Sequence, residues 1–67
     1  MSAMQAYVNS AVDGFRYAVT RDDETGLMHI VLQIRWEDEW RDTRQSISIE
    51  MCDARLLVGA MGRLVTA

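Results

Sequence analysis

The side chains able to do chemistry are few and widely spaced. There is one histidine, His29, one cysteine, Cys52, and two acidic runs, Asp22-Asp23-Glu24 and Glu37-Asp38-Glu39, the second held between Trp36 and Trp40. A metal centre needs several ligands converging on one point, and no further histidine or cysteine stands at ligand spacing from His29. Nucleophilic catalysis needs a base beside its nucleophile, and no histidine follows Cys52. The run Asp22-Asp23-Glu24 lacks the alternating ligands and closing glutamate of an EF-hand loop. Carboxylates adjacent along a strand alternate faces, so Glu37, Asp38 and Glu39 do not converge as an acid–base pair. The expectation is a chain that is not an enzyme and has no catalytic, cofactor-binding or metal-binding residues. Cys52 reads as a small core residue just ahead of the last helix.

The elements that would position these residues follow from hydrophobic period. In residues 3–12, Ala3, Met4, Tyr7, Val8, Ala11 and Val12 form one helical stripe, with Ser2 as N-cap and Gly14 beyond the C-terminus. The competing reading of this segment is a strand through Met4, Ala6 and Val8. From Phe15 the period becomes two, with Phe15, Tyr17 and Val19 on one face. Met28, Ile30, Leu32, Ile34 and Trp36 make one face of a second strand wholly apolar, and Ile47, Ile49 and Met51 do the same for a third. Four-residue loops at 22–25 and 39–42 set Val19 against Met28 and Ile34 against Ile47, which keeps the apolar faces together in both hairpins. Helical spacing returns from Asp53 to Val65 through Leu56, Leu57, Ala60, Met61 and Leu64. Gly59 and Gly62 would each cost this helix about 1 kcal/mol relative to alanine, implying either a close neighbour or a shorter helix. The predicted fold is α+β in the order α-β-β-β-α, a three-stranded antiparallel meander with both helices packed on one face.

Sixty-seven residues make a single small domain, 1–67, that buries only about 60% of the surface of its unfolded chain. One cysteine forbids an internal disulfide, so the remaining way to reinforce so small a core is association. The lone thiol fits a reducing compartment, and no apolar stretch reaches the roughly 20 residues that span a bilayer. The expectation is a cytoplasmic protein without membrane contact. A net charge of -3, from ten acids against seven bases that are all arginine, argues against a surface built to neutralise phosphates.

The order α-β-β-β-α is similar to that of the double-stranded RNA-binding domain. That resemblance implies phosphate binding at the start of the last helix, where the family is lysine-rich. The matching segment here, Glu50-Met51-Cys52-Asp53-Ala54-Arg55, carries two acids and one base, so RNA binding by that mode is not expected.

What remains is association. On the outward sheet face Ala18, Leu27, His29 and Val31 form a patch more apolar than a solvated face requires, rimmed by Arg16, Arg35 and Glu50. Trp36 is expected in the core. Trp40 is placed in the loop with Glu37, Glu39 and Arg41 around it, the make-up of an interface hot spot. The functional expectation is a non-enzymatic protein-protein interaction module, a small regulator or inhibitor of the kind phages and mobile elements encode, that occludes a partner's surface as a homodimer. The candidate interface is Trp40, Glu37, Glu39, Arg41, Leu27, His29, Val31, Ala18 and Arg35. The second reading is a nucleic-acid-binding domain, and a small enzyme is the third.

Overall fold

The computed structural model describes residues 3–66. Four strands and one helix follow one another: β1 (Ala3–Asn9), β2 (Phe15–Asp22), β3 (Leu27–Trp36), β4 (Glu39–Glu50) and α1 (Met51–Val65). The strands form one antiparallel sheet in the order β1-β2-β3-β4.

The predicted α-β-β-β-α order with three strands and two covering helices is therefore overturned. The expected first helix is β1, and the proposed cap Ser2 lies outside the described residues. A ten-residue helix has too few turns to be stable without a packed stripe. As a strand, Ala3–Asn9 of the same segment pairs with β2, from Ala3↔Asp22 to Asn9↔Arg16. Gly14, expected beyond a helix end, instead takes a φ of 86° in the turn before β2. There Ser10 N–H donates to the Phe15 carbonyl at 3.0 Å, and Ser10 Oγ accepts from Val12 N–H at 3.0 Å. With the first helix goes the topological likeness to the double-stranded RNA-binding domain.

Both hairpins keep the expected faces but not the expected register. Val19 pairs with Ile30 rather than Met28, and Ile47 pairs with Ile30 rather than Ile34. The first turn closes with Gly26 N–H donating to the Asp22 carbonyl at 2.9 Å. The second is tighter than expected. Trp36 pairs with Glu39, leaving Glu37 and Asp38 as a two-residue turn with left-handed φ values of 52° and 63°. That sign of φ at both positions is the type I′ hairpin geometry, usually built from asparagine and glycine. Trp40 thus belongs to β4, not to a loop. Between Val31 and Gln33, β4 carries Thr43, Arg44 and Gln45 against the single Leu32. This bulge is tied down by Thr43 Oγ1, which donates to the Leu32 carbonyl at 2.7 Å and accepts from Gln45 N–H at 3.1 Å.

The final helix begins at Met51, two residues earlier than expected. Glu50 is its N-cap but supplies no side-chain hydrogen bond, while Asp53 and Arg63 stand in the first and last turns, where their charges suit the helix dipole. Cys52, expected in the core, is exposed in the first turn. Neither reason anticipated for the glycines applies within the chain: the helix runs its full length, a Cβ at Gly62 would meet nothing within 4 Å, and one at Gly59 would meet only the Arg63 guanidinium, at an ordinary 3.6 Å.

Nor does α1 cover the sheet. None of its residues is buried, and only its first two turns approach the end of the sheet, around Arg21 and Met28. Ala18 is the one buried hydrophobic residue among those described.

Candidate protein-association site

The pairing sorts the side chains onto two faces of opposite character. On one face lie Met4, Ala6 and Val8 of β1, Phe15, Tyr17 and Val19 of β2, Met28, Ile30, Leu32, Ile34 and Trp36 of β3, and Ile47 and Ile49 of β4. Arg21, Glu39 and Arg41 stand toward its ends. An apolar face this continuous normally packs on another layer. Here Met4, Val8, Trp36 and Ile47 are each more than half exposed.

The other face is knitted by polar side chains. The Arg16 guanidinium lies 3.9 Å from the Tyr7 ring centroid and 4.4 Å from that of Trp40, a cation–π arrangement spanning β1, β2 and β4. Arg16 Nε donates to Gln33 Oε1 at 2.7 Å, and Gln33 Nε2 donates to Asp42 Oδ1 at 2.8 Å. Further along, His29 Nδ1 and Ser48 Oγ are 2.7 Å apart. Each strand contributes one member of the row Tyr7, Arg16, Gln33 and Asp42. The row fixes aromatic and charged groups on a rigid sheet rather than on a loop.

Six of the nine candidate interface residues stand on this polar face: Ala18, Leu27, His29, Val31, Arg35 and Trp40. Ala18, Leu27, His29 and Val31 adjoin one another there, but little of them is exposed. Ala18 is 4% exposed and cannot be touched by a partner, while Leu27, His29 and Val31 are half-buried. Trp40 is half-buried as well, folded against Arg16. Glu39 and Arg41 lie on the opposite, apolar face, where they approach each other at 3.6 Å. Glu37 sits in the type I′ turn. Trp36, expected in the core, stands 58% exposed at the end of the apolar face.

Sequence reasoning therefore passed over the larger surface. The apolar face is visible in the sequence as period-two alternation, but two expected covering helices make it a core. Tyr7 and Gln33 were missed for a related reason. Tyr7 reaches Arg16 only when residues 3–9 are a strand, and Gln33 comes between Arg16 and Asp42 only in the observed register.

Among the described residues, no group of three or more His, Cys, Asp or Glu side chains gathers as metal ligands would. No described helix is long and apolar enough to cross a membrane. Asp22 is held below the ordinary aspartate pKa, chiefly by the Thr25 hydroxyl and then by Glu24 N–H, which is turn chemistry. No protein-family model, no curated protein and no solved structure matches the chain.

Proposed function

We propose that the chain is a non-enzymatic protein-protein interaction module, working as a homodimer whose subunits join through the apolar sheet face and whose polar face meets another protein. The observation that carries this reading is surface area. A self-sufficient protein of 7.7 kDa has an accessible surface of about 4,300 Å², whereas this chain exposes 5662 Å². The excess of about 1,300 Å² per chain, or about 2,600 Å² per pair, falls in the range of obligate homodimer interfaces. Shape agrees with area. The radius of gyration is 13.2 Å, against about 11 Å for a compact domain of this length.

The polar face supports a recognition role because aromatic and arginine side chains concentrate interface energy. Trp40, Tyr7 and Arg16 are held there by one another, so a partner would meet them already ordered, at reduced entropic cost. Occluding a partner's surface with such a face is how a regulator or inhibitor of this size acts. The test combines two measurements on the purified chain. Light scattering at tens of micromolar should give twice the chain mass. Affinity capture should retain a protein that is lost with both Trp40→Ala and Arg16→Ala. A strictly monomeric mass, or capture indifferent to both substitutions, would contradict the reading.

A further inference from the structure

Resting on the homodimer reading, we propose that the occupant of each apolar sheet face is helix α1 of the second copy, so that the two chains exchange C-terminal arms. The case begins with the helix itself. Fifteen residues with two interior glycines are marginal as a helix in water unless an apolar stripe is packed. Met51, Ala54, Arg55 and Val58 face the chain's own sheet across a groove of about 450 Å³ that ends at Arg21 and Met28. About a third of a turn around the axis, Leu57, Ala60, Met61 and Leu64 recur at i, i+3, i+4 and i+7. That second seam points away from its own sheet: Leu57 is 43%, Met61 63% and Leu64 78% exposed. One helix thus presents two apolar sides, and its own chain meets only the start of the first, where Val58 is still 69% exposed.

The sheet supplies the complementary surface. At about 1.5 Å per residue, fifteen residues make a helix about 22 Å long. Eight-residue β2 is about 27 Å long at about 3.4 Å per residue, so the helix fits along the face without overhanging it. Each chain brings one uncovered seam and one uncovered face, and a two-fold axis makes the same contact twice.

The other symmetric arrangements leave apolar surface in water. Pairing seam with seam leaves both sheet faces open, and stacking face on face leaves both seams open. Joining the sheets edge to edge through β1 leaves all four surfaces open. Arm exchange covers both kinds at once. Its interface then accounts for the surface excess and for the flat shape of the single chain, 39 × 36 × 18 Å.

Isotope-filtered NMR on the full chain tests this. Labelled and unlabelled protein are unfolded, mixed and refolded, and only contacts between chains are observed. Arm exchange requires contacts from the Leu57 and Leu64 methyls of one chain to Ile30, Leu32 or Ile47 of the other. A dimer whose between-chain contacts run only sheet to sheet, helix to helix or along β1 overturns the exchange while leaving the homodimer standing. A monomer overturns both. As a second readout, Leu57→Asp with Leu64→Asp should weaken self-association by about a hundredfold or more, with the strand signature of the sheet retained. Unchanged association would contradict the proposal.

Discussion

Trp36 and Trp40 stand on opposite faces of one hairpin, the first paired with Glu39 and the second with Arg35 across a two-residue turn. Three residues separate them in sequence, yet they face different surroundings: Trp36 is 58% exposed on the apolar face, and Trp40 lies against the Arg16 guanidinium at 4.4 Å. Their substitutions should therefore separate two properties. Trp36→Ser is expected to weaken self-association by about tenfold or more, since a large aromatic anchor is lost. Trp40→Ser should leave the dimer mass intact and reduce partner capture. Analytical ultracentrifugation and capture on the same two variants check this, and equal effects of both variants on mass would contradict the division of the faces.

The turn between the tryptophans holds a removable cost. Glu37 and Asp38 both have positive φ, a region that non-glycine side chains occupy at an energetic cost. Asp38 gives in return only its contact with Arg35 at 3.1 Å, between well-exposed side chains, and such a surface pair contributes little. Asp38→Gly is expected to stabilise the chain by about 0.5–1 kcal/mol, raising the thermal midpoint by several degrees. A lowered midpoint in a calorimetric scan would show that the side chain matters more than the backbone.

Helix α1 offers a similar test. A Cβ at Gly62 would meet no atom within 4 Å in the chain, and Gly62 lies off the Leu57-Ala60-Met61-Leu64 seam. Gly62→Ala should therefore add about 0.5–1 kcal/mol of helix stability without disturbing association. Increased helical signal at unchanged dimer mass is the expected result. A loss of association would place Gly62 inside the interface.

Acid should loosen the first turn. The Thr25 hydroxyl and Glu24 N–H hold the Asp22 carboxyl below its ordinary value of 3.8. A carboxyl with a lower pKa in the folded state contributes stability above its unfolded pKa, and that contribution is lost as pH falls through the folded value. The loss belongs below about pH 4. Denaturant midpoints taken from neutral pH downward should fall more steeply there for the wild type than for Asp22→Asn. Parallel profiles would contradict the assignment.

The parts of the fold that were legible are those in which one period excludes the other. In β3, Met28, Ile30, Leu32, Ile34 and Trp36 alternate over nine residues, and no helix accommodates that pattern on one side. Residues 3–12 fit both periods, and what decides between them is the unpaired edge of β2, which lies outside the segment. Facing requirements fix register only to within steps of two, so both hairpins kept their faces while shifting along the strand. The second turn was hidden because Glu37-Asp38 carries neither glycine nor asparagine. The candidate site suffered most because two helices were expected over the apolar face, whereas residues 3–9 are a strand and α1 meets only the end of the sheet.

Self-association is the claim from which the rest follows, and sedimentation equilibrium of the intact chain measures it directly. At tens of micromolar the wild type should sediment at twice its 7.7 kDa mass. Ile30→Lys, which sets a charge in the middle of the apolar face, should shift the population to monomer. A wild-type protein that stays at a single chain mass over that range, with its sheet folded, would contradict association through the apolar face.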